Sequence, residues 1–372
     1  MQRFPCTRFV PVCKQIINLL EKFIESPYVL CVFLEFCGAI ILDKPNGESY
    51  YFVQGEHTMD ILSQPHFHNE KAAFAKLESI VWPDGPVCPH CSNRERIYDL
   101  QKTRIGLRKC GKCRKQFTVR VGTVFESSHV PLRKWFQAAF LMCSSKKGIS
   151  SNQLHRTLGV TLKTAWFMAH RLREAMKPDS DIPFGGEGMN VEVDETYLGA
   201  PKRQYKSRFV NERGWVQTKG PLLDKAKIVT LVERGGRARS FTVDSVNTKA
   251  LNDIMFGNID RKSTLQTDEG TWYKDGGREF AKHETVKHST EEYVRGDAHT
   301  NSIEGYFSIF KRGMKGIYQH CKERHLPRYL SEFDFRYSER EALGVGDVER
   351  LEKALYGIRG KRLTYQTTYR PA

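Results

Sequence analysis

The sequence predicts an α/β protein: a sheet-and-helix domain in the C-terminal half, preceded by a small cysteine-rich ribbon and a helical unit. Three observations predict it. Two Cys-x2-Cys pairs, Cys88/Cys91 and Cys110/Cys113, stand 18 residues apart. A short helical pattern, a Gly159-Val160 turn and a longer helical pattern occupy residues 150–176. From residue 185 the order becomes three strands, a helix, a strand and a late helix.

Charge and composition frame those elements. The 372 residues include 59 Lys plus Arg against 43 Asp plus Glu, a net charge of +16. With 40% hydrophobic and 27% charged residues the chain is globular rather than disordered or fibrous. Its size excludes a small disulfide-stapled scaffold, and its sign excludes an acidic solvating protein. The positive balance points to a polyanionic partner, most simply nucleic acid; an ordinary basic enzyme is the alternative. Residues 1–58 carry five basic and six acidic groups, so residues 59–372 hold net +17. The N-terminal stretch has its own character. Its longest apolar run, residues 28–42, is interrupted by Glu35 and is shorter than the ~20 residues of a spanning helix, so no membrane partner is expected. The reading adopted is an extension upstream of a translation start at Met59; a real accessory segment is its rival.

The four cysteines match the Cys-x2-Cys-x15–20-Cys-x2-Cys pattern of a tetrahedral zinc site. Between the knuckles, residues 96–98 and 107–108 read as a hairpin with its turn at 103–106, and 117–119 continue it. Redox pairs or two disulfides are the competing readings. His90, inside the first knuckle, is expected to be exposed, because four thiolates already fill the site. Cys143 and Cys321 stand alone and read as buried or neutral thiols. The expected module is residues 59–125, a helix plus the ribbon.

Residues 126–182 read as a helical domain. Pro131 starts a helix over 132–143, and residues 150–158 and 161–176 follow around the glycine turn. Short helix, glycine turn and longer helix is the helix-turn-helix order. Its exposed face is expected to carry Lys163, Thr164, His170, Arg171 and Arg173 toward phosphates and base edges. A plain three-helix packing unit is the alternative.

Residues 190–198 (NVEVDETYL) alternate at period two, with Glu192, Asp194 and Thr196 on one face. Strands follow at 227–233 and 238–244 around an Arg-Gly-Gly-Arg turn, then a helix at 247–259 and a strand at 263–268. A late amphipathic helix spans 300–315, with Ile303, Phe307, Phe310 and Met314 on its apolar stripe. That order is RNase H-like over residues 185–340, interrupted by a basic insertion at 201–226. Residues 341–372 form a tail with one amphipathic stretch, 348–356.

On that frame Asp194 lies on the first strand, Asp268 ends the fourth, and Glu304 sits on the late helix. Close carboxylates repel unless a cation joins them. Oxygen ligands of this kind suit two Mg²⁺ or Mn²⁺ ions, which activate a hydroxyl and stabilise the leaving oxygen of a phosphodiester. Asn301 lies one turn before Glu304 and offers an amide oxygen. Lys311 lies two turns after it and can hold phosphate; Arg312 and Lys315 extend the basic surface. Glu192, Glu195, Asp275, Glu291 and Asp297 compete for the acidic roles.

The motifs WPDGPVCPHCSN, CGKCRKQFTVRVGTVFESSHVPLRKW, SSKKGISSNQLHRTLGVTLKTAWFMAHRLREAM, VEVDETYLG, TDEGTWY, GDAHTNSIEGYFSIFKRGMKGIYQH and RYLSEFDFRYSER together resemble bacterial insertion-sequence transposases that join a zinc ribbon to an ISXO-type DDE domain. The resemblance covers about residues 59–340. It implies Asp194, Asp268 and a third ligand within NSIEG, either Asn301 or Glu304, followed by Lys311; the seven-residue spacing to Lys311 favours Glu304. It further implies binding to terminal inverted repeats and target DNA, metal-dependent cleavage and strand transfer, one structural Zn²⁺, a homodimer or larger assembly on DNA, and a cytoplasmic, nucleoid-associated location. A catalytically dead DNA-binding regulator, and an RNase H-like nuclease that cuts without joining, are the alternatives.

Overall fold

A computed structural model describes residues 61–178, 182–199, 225–286 and 299–364, and the backbone alone of short strand segments elsewhere. Most of the basic insertion, the region around Met59, and Glu291 and Asp297 lie outside the described residues. The chain forms two compact units, Met1–Leu62 and Ser63–Ala372. In the first, β1 (Leu30–Phe33), β2 (Ala39–Asp43) and β3 (Ser49–Val53) pair antiparallel in chain order.

The second unit begins with α1 (Glu70–Val81). Asn69 caps it by accepting from the Lys71 and Ala72 amides, and it buries Ala73, Phe74, Leu77 and Ile80. The ribbon follows as β4 (Ile97–Asp99), β5 (Arg108–Cys110) and β6 (Gln116–Phe117). It is joined to α1 by the Arg108–Glu78 ion pair at 2.7 Å. Gly106 also lets the ribbon approach closely: a Cβ there would lie 2.2 Å from the Phe74 ring.

Three helices come next: α2 (Leu132–Ser144), α3 (Ser151–Leu158) and α4 (Leu162–Ala175). Ser150 and Thr161 cap α3 and α4 through their hydroxyls. Gly159 ends α3 in the left-handed region at φ 57°, a conformation glycine adopts without a Cβ penalty. A short helix, a glycine turn and a longer helix thus follow one another over residues 151–175.

The sheet has five strands: β7 (Asn190–Leu198), β8 (Ala226–Glu233), β9 (Ala238–Val243), β10 (Thr264–Thr267) and β11 (Lys282–Thr285). Their spatial order is β9-β8-β7-β10-β11. β8 pairs antiparallel with β7 and β9; β10 pairs parallel with β7 and β11. α5 (Thr248–Asn258) connects β9 to β10 and covers one face, where Val191, Val193, Val229, Leu231, Leu251, Met255 and Leu265 are buried together. α6 (Asn301–Gly313) and α7 (Leu326–Ser338) cover the other over Ile228, Val232, Ile303, Phe307, Phe310 and Phe333. α8 (Asp347–Tyr356) closes the chain against α2. This mixed α/β architecture is consistent with the RNase H-like expectation. β11 and α7 were not read from the sequence: β11 is four residues long and largely polar, and α7 carries buried Glu332, Asp334 and Arg336 that mask its apolar stripe.

Those buried charges correct one expectation. Arg173 is 1% exposed, and its Nε donates to Glu332 on α7 at 2.7 Å. Its guanidinium also lies 4.0 Å from the centre of the Tyr329 ring. Arg171 is 5% exposed and gives its donors to the carbonyls of Val124, Glu126 and Leu363. His170 is 1% exposed and packs on Trp166, His325 and Tyr329. These three residues do not form an exposed recognition face; they dock α4 onto its neighbours. Lys163 remains exposed and Thr164 half-buried at the start of α4. Breaking a buried ion pair strands its partner's charge. Arg173→Ala should therefore cost on the order of 3–5 kcal/mol in urea unfolding, while Lys163→Ala stays within about 0.5 kcal/mol.

Candidate active site and zinc centre

The ribbon's four sulfurs lie within 4.8 Å of one another. The Cys88–Cys113 and Cys91–Cys110 Sγ separations are both 3.7 Å. Four ligands held at ~2.3 Å around a tetrahedral ion stand ~3.8 Å apart, whereas a disulfide needs ~2.05 Å. The two knuckles share one backbone design. Ser92 N donates to Cys88 O and Arg114 N to Cys110 O, at 2.9 and 3.0 Å. Ser92 and Arg114, each four residues after the first cysteine of its pair, have φ of 56° and 62°. The Cys113 backbone amide, working against burial, draws Cys110 down to about 6, while, against the Asn93 amide, burial and the neighbouring thiols push Cys91 up to about 11. The donor set thus fits one zinc ion. His90 is exposed, as expected, and Cys143 is a buried thiol pushed up to about 12 by burial.

The carboxylates converge through strand register. Gln266 on β10 lies beside Glu192 on β7 in the parallel ladder. Continued for two residues, that register brings Asp268, just past the end of β10, level with Asp194. Burial, then the negative charges of Glu195, Asp268 and Glu304, push Asp194 up to about 8. The Glu195 amide opposes this by donating to Asp194 Oδ1 at 2.7 Å. Asp268 accepts from the Gly270 amide at 3.0 Å. A Cβ at Gly270 would lie 2.7 Å from Trp272 Nε1 and 2.9 Å from Asp268 Oδ1, so glycine lets the indole close over this turn. Glu304 and Asn301 are exposed on α6, and Thr300 Oγ1 donates to Glu304 Oε1 at 3.3 Å. Lys311 is half-buried, with Nζ 5.7 Å from the centre of the Phe307 ring; Arg312 and Lys315 are exposed. Among the described residues only the zinc cysteines bring three or more metal-ligand atoms within 4.8 Å, so the acidic trio is more widely spaced.

Two competing acids have other work. Glu195 is held by the Tyr273 hydroxyl at 2.6 Å, with its pKa raised by burial. Glu192 is fully buried on the face it shares with Asp194. It accepts from Ile303 N at 2.9 Å and from Arg234 Nε at 3.1 Å. Thr300, at the N-cap of α6, makes no side-chain cap bond. Glu192 therefore meets an open amide of the helix that carries Glu304 and places a negative charge at its N-terminus. Alternation put Glu192 on the correct face, but its partner 111 residues away is not legible from one strand. Asp275 is exposed on the short helix Lys274–Gly277.

Residues 186–338 match the ISXO2-like transposase domain, and residues 68–116 match the transposase zinc-ribbon domain. A protein of Halobacterium salinarum, titled an uncharacterized protein in transposable element ISH50, is 30% identical over 278 residues, 73% of this chain and 91% of that protein.

Two outcomes follow from this geometry. Folded Asp194 keeps its proton up to about pH 8, while the unfolded chain loses it near 3.8. The folded state then binds the extra proton, and stability falls as pH rises through that window. With chelator present, Asp194→Asn should raise the melting temperature near pH 8 and leave it almost unchanged near pH 4; an equal shift at both would refute the coupling. Cys110→Ser should reduce bound zinc from one per chain to near zero by metal analysis.

Proposed function

The chain belongs to the ISXO2-like transposase family, and on that premise we propose that it cuts the ends of its own insertion sequence and joins them to target DNA. The observation that carries this reading is the parallel pairing of β10 with β7, which runs toward Asp268 and Asp194, with the charges of Asp268 and Glu304 acting on Asp194. Mutually repelling carboxylates with oxygen donors fit divalent cations, and Asp194, Asp268 and Glu304 would hold two Mg²⁺ or Mn²⁺ ions. Bound there, the ions supply Lewis-acid activation and neutralise charge on the phosphodiester.

The protein's own groups prepare that chemistry. Glu192 and Arg234 hold the start of α6, and with it Glu304, against the sheet. Tyr273 orients Glu195 behind the site. Lys311, two turns beyond Glu304, carries a positive charge for the scissile or flanking phosphate. Hydrolysis at the element end leaves a 3′-hydroxyl, and in-line attack of that hydroxyl on target DNA exchanges one phosphodiester for another. Lys163, Thr164, Arg312 and Lys315 supply exposed or half-buried DNA contacts. Two ends must be held together, so the active species on DNA is at least a dimer. No helix among the described residues is long and apolar enough to cross a membrane.

Asp194→Ala or Asp268→Ala should abolish cleavage of end-containing DNA while preserving binding in a mobility-shift assay. Glu304→Gln should do the same, whereas Asn301→Ala only weakens cleavage; the reverse pattern assigns the third ligand to Asn301. Products joining donor ends to target DNA distinguish a transposase from a nuclease that cuts without joining.

A further inference from the structure

An open groove of about 1440 Å³ lies apart from the carboxylates. It runs between the first half of α4, the segment that follows α6, and residues 362–364. Lys163, Arg324, Arg328 and Arg362 line it together with three histidines and four aromatic residues, and no aspartate or glutamate does. A groove lined by both cations and aromatic rings matches the two needs of an unpaired nucleic-acid strand, charge along the backbone and stacking for the bases. A duplex presents its bases only edge-on and offers none to stack on these rings.

Hydrogen bonding sharpens the identification. Arg324 Nε lies 3.2 Å from His325 Nε2, and Arg328 Nη1 lies 3.1 Å from His325 Nδ1. A neutral imidazole has one accepting nitrogen and one N–H, so it cannot accept from both guanidiniums. One contact sets donor against donor. Beneath it, His170 is 1% exposed and neither ring nitrogen has a hydrogen-bond partner. Arg328 Nε is paired with Glu174 Oε1 at 2.5 Å and Arg362 Nη1 with Glu126 Oε1 at 3.1 Å, so exposed Arg324 is the guanidinium best placed to meet a phosphodiester oxygen. The backbone here is also unusual. A π-helical turn, Met314–Tyr318, follows α6, and Gln319 on the groove wall has φ of 52°. Such features concentrate at functional sites.

We propose that this groove binds an unpaired DNA strand, with Arg324, His325 and Arg328 on its phosphates and Trp166 stacking a base. The inference rests on the reading of the chain as a transposase and adds a strand-binding surface separate from the carboxylate site. It provides a place for DNA that is single-stranded once an element end has been opened.

The test uses the full zinc-loaded chain and fluorescein-labelled oligothymidylate of about 12 nucleotides, with a duplex of equal length beside it, by anisotropy at constant salt. Arg324 is exposed, so Arg324→Glu spares the fold. Arg324→Glu and Trp166→Leu should each weaken oligothymidylate binding about 10-fold. Lys71→Glu, an exposed change on α1 with the same charge reversal, should alter it less than about twofold. Equal losses for Arg324→Glu and Lys71→Glu would reduce the effect to net charge and overturn the proposal. A loss on duplex as large as that on the single strand would overturn it too, by making the groove a duplex site. Wild-type protein that cleaves element ends while Arg324→Glu binds oligothymidylate normally sinks the groove alone. Groove-dependent strand binding by a protein that never cleaves sinks the catalytic reading alone.

Discussion

The buried carboxylate of Glu192 is the contact on which the site's geometry depends. It sits on the central strand, two residues before Asp194, and has no exposure to solvent. An uncompensated buried carboxylate is costly, so its oxygens must find donors. Ile303 N and Arg234 Nε supply them, from the helix bearing Glu304 and from the turn after β8. Arg234 also donates to the His299 carbonyl at 3.0 Å, on the approach to α6. One side chain thus ties the central strand, the hairpin and the late helix into one arrangement.

A second buried network docks the helical unit. Glu332 is fully buried and accepts from Arg173 of α4, from Arg336 of its own helix and from the Tyr318 hydroxyl. Arginine's planar fork suits this shared role better than lysine's single ammonium. The same network lies against the groove wall, because Tyr318 and Tyr329 contribute to both. Packing in the core and shape at the surface are therefore coupled between α4 and α7.

Much of the C-terminal α/β domain was legible because strand alternation and helical stripes are local signals. The strand at 190–198 and the stripe of the late helix needed no tertiary information, and Asp194, Asp268 and Glu304 could be placed on them. The roles of Glu192, Tyr273 and Trp272 could not be read this way. Each depends on how separate elements and turns come together, and no periodicity distinguishes a buried anchoring carboxylate from an exposed one. The misplacement of His170, Arg171 and Arg173 has the same origin. Charged residues are exposed by default, and only the presence of Glu332 and of open carbonyls at 124, 126 and 363 made burial favourable.

By itself the sequence determined the two Cys-x2-Cys knuckles, the order of most strands and helices, and the basic character of residues 59–372. These follow from spacing, periodicity and composition, which are properties of short stretches of chain. Tertiary structure alone decided which acids face one another, which arginines reach solvent and which become ties between helices. It also gathered the first half of α4 and the segment after α6 into one acid-free groove. Those outcomes depend on pairing residues distant in the chain, 45 positions for Arg171 and Glu126 and 159 for Arg173 and Glu332, where desolvation and hydrogen bonding, rather than local pattern, select the partner.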